Sequence, residues 1–174
     1  MNGIEVLTDG FGRIQGTVRE AVTGLTAEQL NARLDDTANS IAWLVWHLTR
    51  VQDDHVAEVA GREQVWTAQG WAVRFGLTLE TGSTGYAHTD TDVAAVRVDS
   101  PELLLGYYDA VHEQTLAYLK EVTDADLDRV VDHRWDPPVT LGVRLVSVID
   151  DDAQHVGQAA FVRGVLERRS SGAT

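Results

Sequence analysis

Three residues carry most of the chemistry legible in this chain. Asp151 and His155 stand four apart in Asp151-Asp152-Ala153-Gln154-His155-Val156-Gly157-Gln158, and His47 is isolated in an apolar stretch far upstream. On an α-helix, residues i and i+4 lie on one face about a turn apart, so Asp151 and His155 can converge on one point. His47, from a second helix, can close the set. Two imidazoles and a carboxylate suit a divalent zinc ion foremost, and nickel, manganese or iron, better than calcium or magnesium. A three-ligand set also leaves coordination positions open for water or substrate. The alternative is that both histidines are core residues satisfied by hydrogen bonds and that Asp151 is one of a run of solvated aspartates. Asp-x-x-x-His spacing alone leaves both readings standing.

Several residues share these helix faces. Asp54, about two turns from His47, is either a partner orienting its imidazole or a plain exposed carboxylate. Arg144, about three turns from His155, either binds an anionic substrate or pairs with Asp54 or Asp151. His55 is rotated away from His47 by about 80° and falls outside the cluster. His88, His112 and His133 lack a partner at suitable spacing and read as surface residues. Trp46 and Trp66 either line a pocket above the metal or fill the core, as tryptophans do. Gly157 and Gly164 weaken the helix they sit in, which points to close helix approach within the chain or across a dimer interface. A P-loop, a GxGxxG fingerprint, a GxSxG elbow and a zinc ribbon are all missing from the sequence.

The elements that must position these residues follow from periodicity. The 174 residues, 44% hydrophobic and 24% charged, suit one globular domain over 1–169, with 170–174 as a disordered tail. Ile4 to Leu25 carries an amphipathic stripe. Thr26-Ala27-Glu28-Gln29 fits a capping box opening a short turn. Asn39 or Ser40 caps a second long helix that stops at Gly61. A short helix over Trp66 to Phe75 and a long surface loop follow. Ser100-Pro101 starts a third long helix ending near Glu121, and Thr123 to Leu127 makes another capped turn. Pro137-Pro138 forbids helix, and Thr140 caps a final helix reaching about Glu167. No strand pattern competes. Four long helices imply an all-α four-helix bundle with a long loop between its second and third helices.

Composition bounds the partners. The net charge of -13 and the single lysine, Lys120, predict no nucleic-acid partner and no affinity for anionic membranes. The apolar runs are too short to span a bilayer and the N-terminus lacks a cationic signal start, so a cytoplasmic location is expected. With no cysteine in the chain, any thiol chemistry must use a thiol brought by a ligand.

Asn39-Ser40-Ile41-Ala42-Trp43-Leu44-Val45-Trp46-His47-Leu48 with Asp53-Asp54-His55, Thr140-Leu141-Gly142-Val143-Arg144-Leu145, and Asp151 to Gln158 resemble the DinB/YfiT-like superfamily, in particular its actinobacterial mycothiol-dependent branch. The resemblance spans essentially the whole chain. It implies an up-down-down-up bundle, often a homodimer, holding a divalent metal through His47, Asp151 and His155. It further implies a metal-dependent transferase acting on a small-molecule thiol such as mycothiol and an electrophile, with Arg144 as a possible anion-binding or orienting group. Trp46, Trp66 and the loop through Tyr86 and His88 would then shape the electrophile pocket. Mycothiol-dependent maleylpyruvate isomerases carry an additional C-terminal domain contributing to catalysis, whereas the resemblance here covers the bundle, which puts isomerase activity in doubt and leaves simple thiol S-transfer open. A metal-dependent hydrolase and a non-catalytic stress-response or binding protein are the alternatives.

Overall fold

Leu7, Phe11, Ile14 and Val18 recur at helical spacing and are all buried, which sets the inner face of α1, Gly3–Val22. Its start is closed by a reciprocal capping box between Asn2 and Glu5. The protein is described here by a computed structural model covering residues 1–172. Thr26 and Gln29 form the expected box at the head of α2, Ala27–Asn31. Ser40 caps α3, Ile41–Ala60, by accepting the Trp43 N–H, and Gly61 ends it in the left-handed region. Pro101 opens α7, Pro101–Leu119, and Thr140 caps α8, Leu141–Ser171.

Residue pairs fix the helix directions. Gly10 faces Ile149 and Glu20 meets Arg163, so α1 and α8 run parallel. Arg50 meets Tyr107 and Val59 meets Tyr118, so α3 and α7 also run parallel. His47 meets His155 while Glu58 meets Arg144, so α3 and α8 run antiparallel. The four long helices therefore make the up-down-down-up bundle expected. Its core forms two apolar clusters, one around Trp46, Leu44 and Tyr107, the other around Phe11, Leu119 and Leu145.

The connections depart from expectation in detail. The short helix over 66–75 is two, α4 (Val65–Ala68) and α5 (Trp71–Phe75), broken where Gly70 takes φ 72. The long loop contains α6, Asp90–Ala95, opened by a capping box between Thr89 and Asp92. The turn after α7 is a 3-10 helix, Asp124–Asp128. Against the expectation of no strands, β1 (Val130–Asp132) pairs antiparallel with β2 (Val139–Thr140) on either side of the proline turn. Strands of this length are too short to show alternation. Helix α8 runs past Glu167 and includes Ser170 and Ser171; Ala173 and Thr174 of the expected tail lie outside the described residues. Close helix approach occurs at Gly10, where a Cβ would lie 3.0 Å from Ile149, and not at Gly157, where nothing lies within 4 Å. No helix among the described residues is long and apolar enough to cross a membrane.

Candidate metal centre

The antiparallel pairing of α3 and α8 brings His47, Asp151 and His155 together. One ligating atom from each lies within 4.8 Å of the other two, and the two imidazole centroids are 4.5 Å apart. Donors on one tetrahedral zinc ion stand about 3.3 Å from each other at bond lengths of about 2.0 Å, so side-chain adjustment on the ångström scale closes the set.

Backbone carbonyls fix both rings. His47 Nδ1 lies 2.5 Å from the Thr84 carbonyl, and His155 Nδ1 lies 2.8 Å from the Asp151 carbonyl. A carbonyl only accepts, so each neutral imidazole carries its proton on Nδ1 and presents the Nε2 lone pair. Burial pushes the His47 pKa below its ordinary value, keeping the ring neutral. His155 is half-buried, which lowers its pKa, but the Asp151 side chain, 3.4 Å from its Nδ1, prevails and raises it. Burial works to raise the Asp151 pKa and is outweighed by the neighbouring histidines, so the carboxyl is held below its usual range. Asp151 Oδ2 is nonetheless buried without a hydrogen-bond partner. Two imidazoles that each keep one ring nitrogen free, grouped with a carboxylate that has an orphaned oxygen, are a donor set matched to a divalent cation.

The fold built around this set has known relatives. The DinB superfamily matches residues 11–159. The chain belongs to the DinB superfamily. A conserved protein from Enterococcus faecalis, solved by crystallography, is 31% identical and superposes with a TM-score of 0.88, covering 94% of this chain and 96% of that one. No curated protein matches.

In this DinB-superfamily chain the triad has an aromatic wall. Trp43 stacks on His47 with centroids 4.5 Å apart and planes at 15°. Trp43 Nε1 donates to His88 Nδ1 at 3.1 Å, so neutral His88 carries its proton on Nε2 and donates to Ser83 Oγ at 2.7 Å. A serine nucleophile needs the opposite polarity, with the imidazole accepting from the hydroxyl. Ser83 and His88 are therefore wall, not nucleophile and base. His88 is half-buried rather than on the surface, because Trp43, Ser83 and the Trp46 ring, 5.7 Å away, hold it. His112 is also inside, stacked on Tyr108, whereas His133 is exposed.

Other DinB-chain residues fall outside the triad. Asp54 accepts from Gln64 at 2.6 Å, and the Thr84 carbonyl takes the role of orienting His47. Arg144 pairs with neither Asp54 nor Asp151; it donates to Asp132 at 3.1 Å, Glu58 at 3.2 Å and His55 Nδ1 at 2.7 Å. Arg144, His55 and Trp135 line a cavity of about 300 Å³ whose wall includes Ser147, one turn before Asp151. Trp46 and Trp66 are buried and border a cavity of about 30 Å³, room for a single water. Tyr86 is exposed. Sequence reasoning missed Thr84 and Gly85. A backbone acceptor leaves no trace in residue types, and only the glycine hints at a close approach.

Proposed function

We propose that this chain is a metal-dependent transferase that activates a low-molecular-weight thiol, mycothiol being the first candidate, for attack on an electrophile. The observation that carries this reading is the convergence of one ligating atom each from His47, Asp151 and His155 within 4.8 Å, with an Asp151 oxygen buried and without a hydrogen-bond partner. His47, Asp151 and His155 would hold the metal, and three protein donors leave room for an exogenous ligand. The bound metal supplies Lewis acidity, which lowers a thiol pKa from about 8.5 so that thiolate is available at neutral pH. Trp43 shields the His47 side of the site from water, and the Thr84 and Asp151 carbonyls hold both rings in the ligating tautomer. The absence of cysteine means that no side-chain thiolate competes for the metal. The cavity beside Arg144 lies along α8 from Asp151 and offers space for the remainder of a substrate. A homodimer is the proposed assembly, supported by exposed Val143, Val146 and Phe161 along α8.

The test is metal analysis of purified protein followed by titration with mycothiol, glutathione and N-acetylcysteine, and then conjugation to an electrophile panel. Metal-dependent conjugation that Asp151→Ala abolishes supports the transferase. Turnover of a hydrolysable substrate without thiol makes the protein a hydrolase. Absence of thiol binding at millimolar concentration, with no metal-dependent turnover, makes it a binding module.

A further inference from the structure

Helix α3 carries, one turn after His47, a cation sealed from solvent: Arg50 is 0% exposed. Its Nε donates to the Ser83 carbonyl at 3.1 Å, and its Nη1 donates to Gln64 Oε1 at 2.8 Å and to the Tyr107 hydroxyl at 3.3 Å. Asp53 Oδ2 lies 3.7 Å from Nη1, and the guanidinium sits 5.0 Å from the Trp66 ring centroid. The Asp53 carboxylate in turn accepts from the Tyr107 hydroxyl and from the Val65 and Trp66 N–H groups, each at 2.8 Å. The α4 segment and the strap at Ser83 are thus tied to one buried ion pair.

That strap is the one that orients His47. Ser83 and Thr84 give consecutive carbonyls to two donors three residues apart on α3: Arg50 takes the first and His47 Nδ1 takes the second. Gly85 then passes against the imidazole at φ 96, where a Cβ would lie 2.5 Å from His47 Nδ1 and 3.2 Å from Trp43 Cζ2. The strap has no regular secondary structure of its own to hold that position.

We propose that Arg50 is a positioning residue for the metal centre, clamping the Ser83–Gly85 strap so that the Thr84 carbonyl locks His47 with Nε2 free to ligate. The proposal rests on reading His47, Asp151 and His155 as metal ligands, but not on the chemistry the metal performs. A merely structural role predicts otherwise. Exchanging a buried ion-pair member for an apolar residue of similar volume alters packing and stability, without selecting one histidine tautomer or one metal affinity. Partners that orient a metal-bound imidazole typically change affinity about 10–100-fold when lost.

The experiment uses the full chain and zinc(II) alone. Long-range ¹H–¹⁵N spectra of the metal-free protein report the His47 tautomer, and competition with a chelating indicator reports zinc affinity. Wild type is expected to show His47 protonated on Nδ1. Arg50→Met and Arg50→Lys are expected to show mixed tautomers and about 10-fold or more weaker zinc binding. The lysine variant keeps the charge but cannot hold the Ser83 carbonyl and Gln64 together, so its deficit separates positioning from electrostatics. Gly85→Ala displaces the strap from the His47 side, where its Cβ would lie, while leaving the Arg50 side chain itself unchanged, and is expected to weaken zinc binding likewise; it decides the matter if the Arg50 variants do not fold. Wild-type tautomer and zinc affinity in Arg50→Lys, or in Gly85→Ala where the Arg50 variants do not fold, overturns the proposal. If wild type binds no zinc, the reading of the triad as a zinc site fails, and the His47 tautomer comparison alone decides whether Arg50 holds the ring.

Discussion

The Trp43 indole lies nearly parallel to the His47 imidazole, and its Nε1 reaches past that ring to His88. One side chain therefore shields the first ligand and, through His88 and its hydrogen bond to Ser83, links it to the strap that orients it. Trp43→Phe keeps the stacking face and loses the hydrogen bond, so zinc affinity should fall about threefold or less. Trp43→Ala removes a buried aromatic at a cost of about 3–5 kcal/mol, and zinc affinity should fall about 10-fold or more. Chemical denaturation and indicator competition on the same preparations check both.

His155→Ala and His133→Ala provide a matched pair, since only His155 faces the triad and His133 is exposed. Metal content per folded chain should collapse in His155→Ala and stay at the wild-type level in His133→Ala. Equal content in the two variants removes His155 from the ligand set.

The long helices were legible because burial imposes a period. Leu7, Phe11, Ile14 and Val18 on α1 announce their face, and Thr26, Ser40, Gly61 and Thr140 mark ends through local hydrogen bonds that depend on residue type. Helix α6 was not, because Asp90–Ala95 is too short for an apolar stripe; only the Thr89 and Asp92 box signals it. The triad was legible through Asp151 and His155, whose convergence one helix turn dictates. His47 joined it only as an isolated polar residue among apolar ones. What orients that ring is the Thr84 carbonyl, 37 residues away in the chain. Arg144 shows the limit from the other side, because its pairing depends on the hairpin at Asp132, which helical spacing does not encode. His112 does not: it stands four residues after buried Tyr108 on α7, so its place on the inner face was there to be read from the spacing.

Asp132 joins the hairpin to α8. It accepts from Arg134 side-chain and backbone groups and from Arg144, and these partners, the Arg134 side chain first, hold its carboxyl far below the ordinary range. A depressed folded-state pKa contributes stability that is fully present above the unfolded value of about 3.9 and is lost as pH falls through the folded value. Asp132→Asn should therefore lower the melting temperature at pH 6, and the gap to wild type should narrow steadily as pH drops below about 4. A gap independent of pH from 6 to 2 means that the carboxylate charge contributes nothing there.

Metal affinity should follow a different titration. Zinc must displace any proton on the ligating Nε2 atoms. His47 is kept neutral by burial, so it offers little proton competition near neutral pH. His155 has its pKa raised above 6.5 by Asp151 despite burial, so it binds the proton that competes. Zinc affinity measured by indicator competition should be flat above the His155 pKa and fall about 10-fold per pH unit below it while one proton is displaced. The slope should steepen only at lower pH, where His47 begins to protonate. His155 NMR shifts in the metal-free protein should turn at the same pH as the first break. A first break below pH 6, or one that does not coincide with the His155 titration, shows that the Asp151 carboxylate does not govern proton competition at this centre.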